Sequence, residues 1–299
     1  MTSDDGRLYH IIYNPYANRG GSKAYLDGFT AILARHGLAY AVHETKTQGD
    51  ATKITQDLIA DGARQIIIMG GDGTIHEVLN GYAEGDDVIF GIIPAGTGND
   101  VAATLGIPSA LAELDVVAAD ILAGRVRSVD MVASKQGEQS MLFFSYGIAA
   151  QMILEMQKMK GRSKLSYYKA MLKQMVVFKP GLYQVEFDGQ TRTIRADFCG
   201  VHNCVYAGGG MKLINDAMVD DGYAELFMVE NRGFVRRVLN FAAILRGRMH
   251  KQPNVEIVKV RHAVIASPDD PLCCIDGENH EFAQLELEVR HGAVRIFGK

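Results

Sequence analysis

Two glycine turns hold the residues best suited to chemistry: Gly70-Gly71-Asp72-Gly73-Thr74-Ile75-His76 and Pro94-Ala95-Gly96-Thr97-Gly98-Asn99-Asp100. Apolar runs of strand character precede them at 65–69 and 88–93, and helix-like stretches follow at 75–82 and 101–105. Two strand-to-helix turns this close in sequence can lie side by side across a parallel sheet. Glycine lets backbone N–H groups approach a phosphate with no Cβ in the way. An aspartate in such a turn, here Asp72, can hold Mg²⁺ beside that phosphate. The pattern reads as a nucleotide-phosphate site and the chemistry as phosphoryl transfer. It is not a Walker A loop, because GxxxxGK(S/T) is absent, and not a dinucleotide fingerprint, because His76 stands where the last glycine would fall. His76-Glu77 begins like a zinc-protease helix, but Asn80 holds the place of the second histidine. Asp72 also suits a helix cap. In the second turn Gly96, Thr97 and nearby N–H groups can bind phosphate oxygens, while Asn99 or Asp100 can cap the next helix.

Three further constellations each admit a bland reading. The loop from Asn14 to Gly21 can cap phosphates or adenine, or be a plain turn. Val219-Asp220-Asp221-Gly222 is a paired carboxylate between strand-like runs, otherwise a solvated turn. Cys274-Ile275-Asp276-Gly277-Glu278 taken alone reads as a hairpin with surface charges.

The elements that must position these residues change character near residue 130. Up to there strand-like and helix-like runs alternate: strand 8–13, helix 22–36, strand 38–43, helix 50–61, the two glycine turns, then a helix near 110–123. Repeated β-α-β units imply a parallel sheet with helices on both faces. Beyond it, strand-like runs at 141–145, 183–187, 192–199, 224–229, 255–260, 263–266, 285–289 and 294–297 read as an antiparallel sandwich, interrupted by helices near 149–178 and 234–246. The expected fold is α/β, a parallel-sheet domain at 1–130 and a β-sandwich domain at 131–299, with the last residues able to return to the first.

A net charge of −4 argues against a dedicated nucleic-acid binder. The cysteines Cys199, Cys204, Cys273 and Cys274 fit no zinc or CxxC spacing and read as reduced core residues, which suits a cytoplasmic compartment. The N-terminus is polar and acidic, without signal-peptide character, and no apolar run approaches the roughly 18 residues of a spanning helix.

In this order the two glycine turns, the Asp221 turn and the Asp276–Glu278 turn resemble the diacylglycerol kinase catalytic-domain family, which includes bacterial diacylglycerol kinases, related lipid kinases, and sphingosine and ceramide kinases. The resemblance spans essentially the whole chain. GGDGTIHEVLNG at 70–81 and PAGTGND at 94–100 carry it, and Gly208–Gly210, Asp221-Gly222 and Asp276–Glu278 fall at the family's GGG, DG and DGE signatures. It implies a NAD-kinase/diacylglycerol-kinase-like nucleotide domain followed by a β-sandwich, with the active site between them. It implies ATP contacts at Thr45, Gly70, Gly71, Asp72, Gly73, Thr74, Ile75, His76 and Thr97, to which the loop and turns above add Asn14, Gly96 and Asn99. Glu278 matches the family's general base, and Asp72 an aspartate acting through Mg²⁺ or nucleophile positioning. Asp221, with main-chain oxygens near Met218 and Tyr223, resembles a structural Mg²⁺ site, and Asp130 the aspartate in its water network. Asn215 departs from a proline common in relatives, and His76 from an asparagine common in bacterial members.

The implied activity is an ATP- and Mg²⁺-dependent lipid kinase, cytoplasmic and peripheral at the inner face of the membrane. Diacylglycerol is the leading acceptor, and phosphatidylglycerol or a long-chain base are the other lipids. A kinase of a soluble nucleotide such as NAD is the runner-up, and a non-enzymatic nucleotide-binding regulator a third reading, against which Asp72, Asp221 and Glu278 speak. A homodimer is compatible with the chain. Lys158, Lys160, Arg162, Lys164, Lys169, Lys173 and Lys179, interleaved with Met156, Met159, Leu165, Met171, Leu172 and Met175, read as a face for anionic lipid or as a solvated face over core. Arg232, Arg236, Arg237, Arg246 and Arg248 form a second basic group.

Overall fold

The computed structural model describes residues 8–158 and 164–298. The chain forms two compact units, Met1–Val129 with Gly292–Lys299, and Asp130–His291. The first contains β1 (Leu8–Tyr13), α1 (Lys23–Arg35), β2 (Ala39–Glu44), α2 (Asp50–Ala60), β3 (Gln65–Gly70), α3 (Asp72–Asn80), β4 (Ile89–Pro94), α4 (Asp100–Thr104) and α5 (Leu114–Leu122). β1 lies between β2 and β3, and β3 between β1 and β4, all parallel, so the strand order reverses between β1 and β3. Strands buried on both faces read as apolar runs rather than alternations, as Ile66, Ile67, Ile68 and Met69 do. One face packs Tyr9, Ile11, Ile67 and Ile93 against Phe29 and Leu33 of α1 and Val117 and Ile121 of α5.

Two strands carry the chain between the units: β5 (Val126–Ser134) and the last strand, β17 (Gln284–Phe297). The sequence suggested two strands at 285–289 and 294–297. The structure has one, because Gly292 takes φ +62° and absorbs the irregularity without ending the strand. Its C-terminal end joins the first sheet parallel to β4, Ile296 opposite Phe90.

The second unit contains β6 (Gln139–Ser140), β7 (Phe143–Gly147), α6 (Ile148–Gln157), α7 (Lys164–Val177), β8 (Gly181–Phe187), β9 (Gln190–His202), β10 (Tyr206–Ala207), β11 (Met211–Lys212), β12 (Ala224–Glu230), α8 (Gly233–Ile244), β13 (Val255–Val260), β14 (His262–Ala266), β15 (Leu272–Ile275) and β16 (Glu278–Glu281). These strands pair antiparallel in the order β16-β15-β7-β9-β8-β14-β17, with β12 on β9 and β13 on β12. Their inward residues, including Phe144, Tyr146, Val185, Cys199, Leu226, Ile265 and Leu285, form the sandwich core. All four cysteines are buried thiols in no disulfide. The helical stretch foreseen at 149–178 is two helices, α6 and α7. Met159, Lys160 and Arg162 lie outside the described residues, as do the side chains of Lys164, Leu165 and Met171.

Candidate active site

Four consecutive carboxyl ends of the first unit's strands carry expected site residues: Asn14 after β1, Thr45 after β2, Gly70-Gly71 at β3 and Ala95-Gly96 after β4. The Thr45 N–H donates to Tyr13 O at 2.9 Å, Asn14 N–H to Met69 O at 3.0 Å and Ala95 N–H to Gly70 O at 2.8 Å. Across the point where strand order reverses, Asn14 Nδ2 donates to Thr74 Oγ1 at 3.0 Å. Open α/β sheets bind ligands outside the strand ends at such a reversal. In the loop behind Asn14, Asn18 and Arg19 hold φ of 50° and 56°. Such conformations cost on the order of 1 kcal/mol or more each and gather at ligand clamps.

Gly71 and Gly96 touch backbone to backbone. A Cβ on Gly71 would stand 3.1 Å from Gly96 Cα, and one on Gly96 would press into Gly71 Cα and lie 2.7 Å from Asn99 Oδ1. The two turns thus form one backbone surface at the N-terminus of α3, where the helix dipole favours an anion. Asp72 opens α3 but caps another helix, its Oδ1 accepting the Val101 N–H of α4 at 3.0 Å. Asn99, at the N-cap position of α4, makes no cap bond there. Its side chain turns back, accepting from Gly96 N–H at 2.9 Å and donating to Gly96 O at 3.1 Å. Gly73 follows Asp72 in the first turn of α3, and Thr97 is exposed at the tip of the second turn. Ile75 is buried with its N–H committed to Gly71 O at 3.1 Å, so it offers a phosphate neither side chain nor N–H. His76 is buried beside Asn80 Nδ2 at 3.4 Å.

In the second unit the structure brings Asp130 to the loop that holds Met218, Asp221 and Tyr223. The Asp130 carboxylate is fully buried. It accepts from Gly222 N–H at 2.7 Å and meets His291 Nδ1 at 2.8 Å, while its own N–H donates to Val219 O at 2.6 Å. Asp221 accepts from Tyr223 N–H at 3.1 Å and forms an ion pair with Lys259. That pair raises the Lys259 pKa. Burial pushes the neighbouring Glu225 carboxyl up to about 8, with Lys259 opposing and Asp221 reinforcing the shift. Glu225 Oε2 is buried without a hydrogen-bond partner. Asp221 and the loop carbonyls offer only oxygen, the donor type that a hard divalent cation takes. The Met218 side chain is exposed, leaving its main chain as the donor.

Glu278 stands on a different hairpin, β15–β16. Asp276 and Gly277 take φ of 47° and 87°, the left-handed pair that a two-residue hairpin turn requires. Glu278 is then the first residue of β16, half-buried and paired in register with Ile275. Asp276 is not a surface charge: its Oδ1 accepts from Ser140 Oγ and from Phe143 N–H at 3.0 Å, anchoring the hairpin. Arg237, expected in a basic surface group, is buried against Asp197 at 2.8 Å. Sequence reasoning did not single out Lys259, Glu225 or His291. Lys259 meets Asp221 and His291 meets Asp130 only once distant strands are brought together, and the one available signal was a charged residue inside an apolar strand, Glu225 in Ala224–Glu230.

Comparison with known proteins agrees in both halves. Residues 9–134 match the family model described as diacylglycerol kinase catalytic domain, and residues 143–298 that described as YegS C-terminal NAD kinase beta sandwich-like domain. A diacylglycerol kinase of Staphylococcus aureus (strain bovine RF122 / ET3-1) is 31% identical over 281 residues, covering 90% of this chain and 85% of that protein. One from Bacillus subtilis (strain 168) is 28% identical over 274 residues, covering 90% and 88%. The crystal structure of a diacylglycerol kinase from Bacillus anthracis strain Sterne superposes with a TM-score of 0.80 at 26% identity, covering 100% of this chain and 99% of that one.

Proposed function

The chain belongs to the diacylglycerol kinase catalytic-domain family, and from that premise we propose that it transfers the γ-phosphoryl group of ATP, with Mg²⁺, to a lipid hydroxyl, diacylglycerol being the leading acceptor. The observation that carries the reading is the Gly71–Gly96 backbone contact at the ends of β3 and β4, which sets the two turns edge to edge as one side-chain-free backbone surface. The relatives named above supply the acceptor class.

Phosphoryl transfer asks a protein mainly for positioning and charge stabilisation. Backbone N–H groups at 71–73 and 97–98 in the two turns hold the phosphates, and Asn14, Thr45 and Thr97 border them. Asp72 fixes α4 to the first turn, so it positions one turn against the other while placing its carboxylate beside the phosphate site. Bound Mg²⁺ would spread the charge that builds on the transferring oxygens, with Asp72 the residue to hold it, while Asp221, main-chain oxygens near Met218 and Tyr223, and Asp130 behind them would hold a structural Mg²⁺. Glu278 accepts the acceptor hydroxyl's proton late, as the O–P bond forms, because a carboxylate cannot hold it in the ground state.

The test is transfer from labelled ATP, with Mg²⁺, to a panel of lipids in mixed micelles, with NAD as soluble control. Label on one lipid supports the reading and names its head group. Label on NAD alone overturns the lipid acceptor and leaves the ATP site standing. ATP binding without transfer to any acceptor favours a regulator.

A further inference from the structure

Helix α8 turns one of its two arginines, Arg237, inward. Arg237 and Asn240 are buried on its inner face with Ala243. The Arg237 guanidinium meets Asp197 Oδ1 at 2.8 Å, donates to Met175 O at 3.0 Å and Phe178 O at 3.2 Å, and lies 5.3 Å from the Phe178 ring centre. The outer face carries Phe234, Val235, Val238, Leu239 and Leu245, all exposed, Val235 at 71%. Their spacing places them on one stripe. α7 packs against α8 and adds exposed Leu172, Val176 and Val177. Single exposed apolar residues need no explanation, but a contiguous row on paired helices does.

The rim is basic. No Asp or Glu lies between Glu230 and Glu256, a span that holds Arg232, Arg236, Arg246, Arg248 and Lys251. Exposed Lys169, Lys173 and Lys179 extend it along α7. Glu230 offsets Arg232 at 2.9 Å and Glu155 offsets Lys173 at 2.6 Å, which leaves the rim strongly positive.

We propose that the outer face of α8, with the end of α7, docks on a bilayer containing anionic lipid. Phe234, Val235, Val238 and Leu239 enter the boundary between headgroups and acyl chains, and the arginine and lysine rim meets the lipid phosphates. A symmetric dimer through this face would set the basic rim against itself, a repulsion that anionic lipid instead neutralises. The inference deepens the lipid-kinase reading, on which it rests for the presence of a bilayer, by naming the surface that meets it.

Docking is measured without ATP or turnover, so its failure is distinguishable from failure of the kinase reading. Full-length protein is sedimented with vesicles of phosphatidylcholine alone or mixed with phosphatidylglycerol. Wild type binds the mixed vesicles, and binding weakens as salt rises. The double variant V235Q/L239Q binds about tenfold or more weakly, and R246Q/R248Q loses the preference for phosphatidylglycerol, with thermal unfolding and ATP affinity unchanged in both. Undiminished vesicle binding by V235Q/L239Q overturns the proposal. So does a wild-type dimer that this variant dissociates while vesicle binding persists, since the face would then belong to a second copy. Vesicle binding lost as predicted in these variants, with no lipid phosphorylated by wild type, keeps the docking surface and removes the kinase reading.

Discussion

Asp72 and Glu278 carry the proposed chemistry in different ways, and substitutions separate them. Gln at position 278 keeps the shape of Glu but takes no proton. Glu278→Gln is expected to cut turnover about 10²–10⁴-fold while calorimetry finds ATP affinity retained; near-normal turnover would remove Glu278 as base. His202 gives a pH signature of its own. It is enclosed by Phe143, Phe198 and Phe227, neither ring nitrogen has a partner, and burial lowers its pKa from 6.5 to about 3. Between those values the unfolded chain binds a proton that the folded one does not, so stability falls as pH drops below 6.5, by up to about 1.4 kcal/mol per unit. His202→Phe should flatten that part of the pH–stability curve in urea titrations, and an unchanged slope would place the acid sensitivity elsewhere. At this scale the glycine turns were legible because one short stretch contains the whole motif. The Lys259–Asp221 pair was not, because its members lie 38 residues apart and meet only through folding.

The two glycine turns and helix α8 show what elements add to residues. A Cβ at position 96 meets the Gly71 backbone and Asn99. Gly96→Ala should therefore cost roughly 1–3 kcal/mol by overpacking and weaken ATP binding; unchanged affinity would mean that this contact does not shape the phosphate site. In α8, Arg237→Met would leave the Asp197 carboxylate buried, with the Asn231 Nδ2 donor at 2.9 Å but no cation beside it, and a loss of about 3–5 kcal/mol is expected in chemical denaturation. The double variant with Asp197→Leu should regain most of it, and a double variant as unstable as the single would show that packing, not charge, is at stake. Most element types were readable from periodicity: the alternation up to residue 130 and the strand runs beyond it both appear in the structure. Periodicity also placed a helix near 234–246. It could not say that Arg237 turns inward, because the Asp197 partner sits on β9, 40 positions away.

Over the whole molecule, each unit supplies one part of the proposed machinery, the phosphate turns in one and the cation loop and Glu278 in the other. ATP with Mg²⁺ should raise thermal stability with ligand concentration, by about 2.7 kcal/mol at a hundredfold excess over Kd, and AMP at equal concentration should do less if the turns grip the outer phosphates; equal stabilisation would place recognition on the nucleoside. The sequence alone determined the family, the parallel-then-antiparallel plan and the two glycine turns, because these depend on local spacing and on glycine's lack of a Cβ. Tertiary structure alone decided that Asp72 caps α4, that Asp276 anchors its hairpin, that Lys259 faces Asp221 and that Arg237 is buried while Phe234 and Val235 are not. Each of these depends on which distant residue arrives beside a charge. A hydrogen bond or ion pair has no sequence spacing of its own until the chain has brought its partners together.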